Sequence, residues 1–296
     1  MSARIDVPVA GGELAVYRFG STRGGWGQSP CVLAVHGITA TSFAWLAVAA
    51  ALADDVSLIA VDLRGRGDSR ALPGPFGLDA HVEDLVAVLD ATSLQRPVVL
   101  GHSMGSYVAA RLAARHPDRV SQLVLVDGGL TIEGSADVDP EPFMRAFLGP
   151  ALARLEMTFD DLDAYVAWWA EHPAVKGSDI DPAVLRRYVE HDLVGEPPAL
   201  RSSVNPDVLL PDGGDVLRCE DAHQLTLPAV LLCAPRGMVN DPNPMQPLEL
   251  VRAWASEDPG RRRALQVPNV NHYSIALGAA GAAAVAAEVR AAVAGT

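Results

Sequence analysis

Several features are scarce in this chain, and each shortage argues against a class of protein. Only three of the 296 residues are cysteines (Cys31, Cys219 and Cys233), so a disulfide framework is not possible. No pair of them has the Cys-x-x-Cys spacing, which argues against a structural zinc site, and we expect no metal. Lysine occurs once, at Lys176, and the net charge is −13. Such a charge argues against nucleic acid or an anionic membrane surface as a partner.

Long apolar runs are also missing. No stretch approaches the roughly 20 residues that a membrane-spanning helix needs. The alanine-rich segment 279–294 is interrupted by Gly281, Glu288 and Arg290 and therefore predicts an amphipathic helix. Residues 1–8 lack the apolar core of a signal peptide. We therefore expect a soluble, cytoplasmic protein whose partner is a small-molecule substrate.

Strand and helix patterns alternate over the first 130 residues. Continuous apolar runs at 31–35, 57–61, 97–100 and 122–126 are typical of central strands that are covered on both faces. Each run is followed by a loop, and most are separated by a helical pattern. This alternation predicts an α/β fold with a mostly parallel central sheet of about eight strands flanked by helices.

The alternation stops after residue 130. From there to residue 225 the sequence shows helical patterns near 142–155, 160–170 and 182–191 and no convincing strand. The strand pattern resumes at 229–233. We therefore predict a core domain formed by residues 1–130 and 226–296, and a helical cap formed by residues 131–225, inserted after the sixth strand.

A Gly-x-Ser-x-Gly motif stands at the end of one predicted strand. The apolar run 98–100 leads into Gly101-His102-Ser103-Met104-Gly105, and a helical pattern follows directly. A nucleophile elbow needs this context, because the strand delivers the serine into a sharp turn and the helix aims its N-terminal amides at the reaction site. We interpret Ser103 as a nucleophile.

The chain resembles the α/β-hydrolase fold family over nearly its whole length, in particular the capped serine hydrolases. Four motifs carry the resemblance: His36-Gly37, the run Asp62-Leu63-Arg64-Gly65-Arg66-Gly67-Asp68-Ser69, the elbow around Ser103, and Asn271-His272 after the last strand. The second motif indicates a braced loop. These signals are specific for the fold and unspecific for the substrate, since the same scaffold supports many chemistries.

The resemblance implies a serine, histidine and acid triad. His272 is the expected base, because it follows the last strand and completes the chain order serine, acid, histidine. Asp241 is the preferred acid, as the only carboxylate in the loop after the seventh strand, although it lies about three residues beyond the usual spacing. Asp127, at the end of the sixth strand, is the alternative. Either carboxylate would orient the imidazole and stabilise the imidazolium.

The oxyanion hole is expected to consist of the backbone N–H groups of Ile38 and Met104. His36 is expected to brace the loop that carries Ile38. In the predicted cap, large aromatic side chains suggest a pocket for an apolar acyl or aromatic substrate. These are Phe143, Tyr165, Trp168 and Trp169.

The sequence therefore predicts a cofactor-free serine hydrolase that cleaves a carboxylic ester or lactone through an acyl-enzyme. Carbon–carbon bond or amide hydrolysis by the same triad is an alternative. A second alternative, of another class, is a non-catalytic ligand-binding protein with this fold. The serine at position 103 argues against epoxide hydrolase and haloalkane dehalogenase chemistry, because those enzymes attack with an aspartate there.

Overall fold

The protein is built around one eight-stranded sheet. The computed structural model describes residues 3–20, 26, 30–53, 55–131, 135 and 138–295, apart from the side chains of residues 140, 144–147 and 150. The strands of the sheet are β1 (Ala3–Val9), β2 (Gly12–Phe19), β3 (Cys31–Val35), β4 (Ser57–Val61), β5 (Val98–His102), β6 (Gln122–Val126), β9 (Ala229–Cys233) and β10 (Arg262–Gln266), and a separate pair consists of β7 (Leu193–Val194) and β8 (Arg201–Ser202).

The strand order in the sheet is β1-β2-β4-β3-β5-β6-β9-β10. The first two strands form an antiparallel hairpin, and β2 also runs antiparallel to β4. All remaining neighbours are parallel. The predicted mostly parallel sheet of about eight strands is confirmed.

Helices cover both faces of this sheet. They are α1 (Leu46–Leu52), α2 (Leu78–Ala91), α3 (Met104–Arg115), α4 (Pro140–Leu155), α5 (Leu162–Glu171), α6 (Pro182–Asp192), α7 (Leu209–Leu217), α8 (Leu248–Glu257), α9 (Ser274–Leu277) and α10 (Ala279–Ala294). No helix within the described ranges is both long enough and apolar enough to cross a membrane.

Two apolar clusters lie on opposite faces of the sheet. Along β3, Leu33 and Val35 belong to one cluster and Val32 and Ala34 to the other, as expected from the two-residue period of a strand. Helices α2, α3 and α8 pack into the first cluster, and α1 and α10 pack into the second. Because both faces are covered, the central strands are apolar throughout and the polar site residues lie at the strand ends.

Residues between β6 and β9 form helices α4 to α7 and the β7–β8 pair. The two strands were not predicted, because two-residue strands are too short to show a period. Helix α7 was also not predicted, since its sequence contains Pro211 and the pair Gly213-Gly214, which disfavour helix. Pro211 is tolerated because it lies in the first turn, where the N–H groups have no partner within the helix. The division into a core and a cap stays a prediction.

Candidate active site

The turn between β5 and α3 presents Ser103 at the carboxyl end of the sheet. Ser103 has φ 54° and ψ −124°, a strained conformation for a residue with a side chain. A Cβ on Gly101 would lie 2.3 Å from the Gly105 carbonyl oxygen, and a Cβ on Gly105 would lie 2.1 Å from that of Val35. Both glycines are therefore required by the close approach of the helix to the sheet.

Ser103, His272 and Asp127 form a continuous hydrogen-bonded chain. Nε2 of His272 lies 3.1 Å from Oγ of Ser103, and Nδ1 lies 2.7 Å from Oδ2 of Asp127. A carboxylate oxygen only accepts, so Nδ1 carries the proton and Nε2 is free to accept the serine proton. Asp127 is fully buried, and its other oxygen accepts from the backbone N–H of Ala234 at 2.9 Å.

The structure corrects the preferred acid. Asp241 is partly exposed, and its carboxylate accepts a hydrogen bond from the backbone N–H of Asn243 at 2.9 Å. It caps a turn in the loop after β9 and does not contact His272 in the structure. Asp127 occupies the position beside the imidazole, because β5 and β6 are neighbours and their carboxyl ends bring Ser103 and Asp127 together.

Ile38 and Met104 both line the space in front of Ser103. Met104 is the first residue of α3, where a backbone N–H has no partner within the helix. The backbone at Gly37 approaches so closely that a Cβ there would lie 3.1 Å from Cβ of Ser103. The two N–H groups expected to form an oxyanion hole are thus carried by segments that flank the serine.

Two further buried histidines contact the loops of the site. His36 accepts a hydrogen bond from the N–H of Leu63 through Nε2 at 3.0 Å, so Nδ1 carries the proton and donates to the Gly37 carbonyl at 2.7 Å. His102 donates from Nε2 to the backbone carbonyl of His272 at 2.9 Å. Burial lowers the pKa of each imidazole to about 3. Both are therefore neutral at pH 7, and His36 occupies the bracing position that the sequence suggests.

A pocket that opens to solvent lies beside the serine. Helices α4 and α7 contribute Leu148, Ala151 and Val216 to its wall. The loop after β9 contributes Met238, Met245 and Gln246, none of which the sequence predicted. Most of the wall is apolar, as is typical of small-molecule sites.

The four predicted pocket aromatics are not among the described residues that line this cavity. Tyr165 is fully buried, and its hydroxyl lies 2.5 Å from Nη1 of Arg154 and 2.6 Å from Oδ2 of Asp192. Tyr165 and Trp169 belong to a third apolar cluster, formed mainly by α5 and α6, and Trp168 packs against it. Phe143 packs against the cluster that contains α2, α3 and α8. Leu148 and Ala151, which do line the cavity, are three residues apart on one face of α4. Their spacing is that of any helix face, so it did not identify them as pocket residues.

Comparisons with known proteins agree with this architecture. Residues 30–170 match the family model described as alpha/beta hydrolase fold. Over 98% of the chain, the structure superimposes on 97% of E-2-(acetamidomethylene)succinate hydrolase with a TM-score of 0.73 and 19% identity. The chain therefore has the fold of the α/β-hydrolases, and its residues 30–170 resemble that family in sequence. Two proteins that resemble this chain in sequence are a lipase and a deformylase.

Lipase LipV from Mycobacterium tuberculosis is 36% identical over 169 residues, which are 56% of this chain and 58% of the lipase. The chain thus spans less than two thirds of that relative. N-formylmaleamate deformylase from Pseudomonas putida is 29% identical over 206 residues, which are 67% of this chain and 76% of the deformylase. The two names differ in the bond that each protein cleaves, so they support the α/β-hydrolase assignment without indicating one substrate.

Proposed function

We propose that the protein is a serine hydrolase that cleaves a carboxylic ester or lactone of small to medium size. The observation that carries the proposal is the hydrogen-bonded chain from Ser103 through His272 to the buried Asp127. A nucleophile, a base in the required tautomer and an orienting carboxylate are sufficient for acyl transfer without a cofactor.

The proposed reaction proceeds in two acyl transfers. Oγ of Ser103 attacks the carbonyl carbon while Nε2 of His272 takes the hydroxyl proton, and the negative charge on the carbonyl oxygen is stabilised by the N–H groups of Ile38 and Met104. The imidazolium then gives its proton to the leaving alcohol, and the acyl group stays on Ser103. Water, deprotonated by His272, attacks the acyl-enzyme and releases the acid.

The apolar wall of the cavity supports an apolar acyl or alcohol group. Leu148, Val216 and Met238 would contact it, and burying such a group gives about 25 cal/mol per Å² of area. The similarity to Lipase LipV is consistent with an ester substrate. An ester also releases an alkoxide, which is the leaving group that needs the least protonation by the general acid.

Amide hydrolysis is the second candidate, and one side chain favours it. Gln246 is buried in the cavity wall, and its Nε2 lies 3.3 Å from the Leu130 carbonyl oxygen. Its Oε1 has no hydrogen-bond partner among the described residues. An unpaired buried acceptor is costly, and rotation of the Gln246 amide towards the cavity would let Oε1 accept from the N–H of an amide substrate, whereas an ester has no such donor. The similarity to the deformylase points in the same direction.

The proposal is tested with a fluorophosphonate probe and a matched panel of aryl esters, lactones, amides and diketones. We expect wild type to be labelled and to hydrolyse esters fastest, and Ser103→Ala to be unlabelled and inactive. An unlabelled, inactive wild type that binds ligand as well as Ser103→Ala does would support a ligand-binding protein instead.

Gln246→Met tests the choice between the two bonds. If the amide oxygen accepts from the substrate, kcat/KM for amides falls about tenfold or more while ester hydrolysis changes little, because a lost hydrogen bond costs about 1 to 3 kcal/mol. An equal change in kcat/KM for matched esters and amides would show that Gln246 does not accept a hydrogen bond from the substrate N–H.

A further inference from the structure

Three consecutive carbonyl groups of the loop after β3 are each held by a hydrogen bond. The Gly37 oxygen accepts from Nδ1 of His36 at 2.7 Å and from the N–H of Ala40 at 3.2 Å. The Ile38 oxygen accepts from Nε of Arg66 at 3.0 Å. The Thr39 oxygen accepts from Nη2 of Arg154 at 2.9 Å.

These bonds determine where the N–H of Ile38 points. A peptide unit is planar and trans, so the N–H of Ile38 is directed opposite to the Gly37 carbonyl. Rotation of that unit, or of the two that follow, would require breaking the hydrogen bonds to His36, Arg66 or Arg154. The orientation of the proposed oxyanion donor therefore depends on the groups that hold the carbonyls.

Both guanidinium groups are buried and each is paired with an aspartate from the segment between β6 and β9. Nη2 of Arg66 lies 2.5 Å from Oδ2 of Asp212, which is in α7. Nη1 of Arg154, in α4, forms an ion pair with Asp192, the last residue of α6. All four side chains are at most 3% exposed.

The two aspartates are themselves held in place. Asp212 accepts from the backbone N–H of Gly77 at 2.6 Å. Asp192 accepts from the hydroxyls of Ser202 and Ser203, each at 2.9 Å. A guanidinium that is ion-paired with a buried carboxylate has little freedom left, so the carbonyl that another of its nitrogens contacts is held with it.

We propose that Arg66 and Arg154 are positioning residues for the oxyanion hole, through which the segment between β6 and β9 controls the rate of acyl transfer. Arg154 acts on the Thr39 carbonyl and Arg66 on the Ile38 carbonyl. Neither touches the substrate. This inference rests on the proposed hydrolase function and assigns that segment a second task besides forming the cavity wall.

Substitution of each arginine by lysine keeps the positive charge of the side chain and removes the planar guanidinium group. In Arg154→Lys an ammonium can still pair with Asp192, but a single nitrogen cannot reproduce the fork that reaches both the carboxylate and the Thr39 oxygen. Arg66→Lys makes the same change at the neighbouring carbonyl, so the test does not depend on one variant. Arg64→Lys is the matched control.

Arg64 suits that purpose because its side chain is also buried and ion-paired but does not contact the loop; its backbone carbonyl accepts from Nη1 of Arg66 at 2.9 Å, and Arg64→Lys leaves that carbonyl in place. Arg64 is 2% exposed, forms a bidentate pair with Asp84 at 2.6 and 2.7 Å, and donates to the Pro73 carbonyl at 2.8 Å. None of its contacts is with the loop that carries Ile38. A general cost of replacing a buried arginine will appear in all three variants.

The experiment measures kcat and KM for an aryl ester, with active sites counted by fluorophosphonate labelling. One donor of an oxyanion hole is worth about 100- to 1000-fold in kcat, so we expect partial misplacement to lower kcat about 10- to 100-fold in Arg154→Lys and Arg66→Lys. KM should change little, because the contact is made in the transition state. Arg64→Lys should lose thermal stability with kcat unchanged.

The affinity for an arylboronic acid distinguishes a positioning role from a merely structural one, because a loss of stability alone would not change that affinity. The tetrahedral serine adduct of this acid places an oxygen in the hole, so its affinity should fall in parallel with kcat/KM, whereas the affinity for the ether analogue of the ester should not. Unchanged kcat and boronate affinity in labelled, folded variants would overturn the proposal. A wild type that takes no label contradicts the proposed function itself.

Discussion

At the scale of single residues, the site depends on which carboxylate contacts His272. Asp127 has φ 48°, follows β6 directly, and is adjoined by Gly128, where a Cβ would lie 2.4 Å from the Ser103 carbonyl oxygen. The backbone next to Asp127 thus packs directly against the backbone of Ser103, which places the acid near the nucleophile. Asp241, by contrast, lies in a turn that supplies its own hydrogen bonds.

Asp127→Asn should lower kcat about 1000- to 10,000-fold, because an asparagine can donate to Nδ1 and stabilise the wrong tautomer of His272. Steady-state ester hydrolysis measures this. Asp241→Asn is the matched control, with the same change of chemistry, and should leave kcat at the wild-type value. A large loss in Asp241→Asn together with an active Asp127→Asn would reverse the assignment.

At the scale of elements, the elbow depends on contact between α3 and the sheet. Gly105 lies in the first turn of α3, and the backbone oxygens of Val35 and His36 would lie 2.1 and 2.7 Å from a Cβ there. Backbone atoms of a central strand cannot move aside without disturbing the neighbouring strands. The glycine is thus fixed by packing and not by the chemistry of the serine.

Gly105→Ala should therefore destabilise the protein by about 3 kcal/mol or more, since overpacking against backbone leaves no rotamer to relieve it. Gly295→Ala is the control at the end of another helix, α10, because Gly295 has φ −91° and ψ −3°, and a Cβ there would lie 3.6 and 3.7 Å from the carbonyl oxygens of Ala291 and Ala292. It should change the free energy of unfolding by less than about 1 kcal/mol, because alanine adopts this conformation without strain. Denaturant unfolding of both variants measures the two changes, and equal effects would refute this account of α3.

The elements also explain what could be predicted from the sequence. Strands β3, β4, β5 and β9 contain continuous apolar runs and could be recognised, and their order in the sequence placed Ser103 and His272 at one edge. The acid could not be chosen in this way, because both Asp127 and Asp241 follow strands that end at that edge. Only the contact across the ends of β5 and β6 separates them.

The lining of the cavity could not be predicted for a different reason. Tyr165 and Trp169 have the size and spacing of pocket residues, but the buried pair Arg154 and Asp192 needs partners, and Tyr165 supplies one. The ring of Trp169 lies 5.3 Å from the Arg154 guanidinium. An ion pair between α4 and α6 leaves no local pattern in the sequence, so the aromatic residues around it resembled a substrate site.

At the scale of the whole molecule, two buried neutral histidines make stability dependent on pH. His36 and His102 have a pKa of about 3 in the folded protein because burial opposes their protonation, whereas an unfolded histidine has its ordinary value near 6.5. The unfolded chain therefore binds more protons below pH 6.5. Stability is fully present above that pH and is lost as pH falls towards 3.

Each of these histidines should contribute a loss of about 1.4 kcal/mol per pH unit well below pH 6.5. We expect His102→Asn to reduce the slope of unfolding free energy against pH by that amount between about pH 6 and 4.5, a window above the ordinary titration of carboxylates. Chemical denaturation across this range measures the slope. A slope identical to that of wild type would contradict a neutral buried His102.

The proposed reaction requires that Ser103 forms a covalent acyl intermediate with help from His272 and Asp127. The most direct measurement is rapid mixing of the protein with an activated aryl ester, followed by acid quench and mass spectrometric mapping of the adduct. We predict a burst of phenol stoichiometric with the protein and an acyl group on Ser103, slowed strongly in Asp127→Asn and absent in Ser103→Ala. An active wild type with no acyl group on Ser103 would contradict the account.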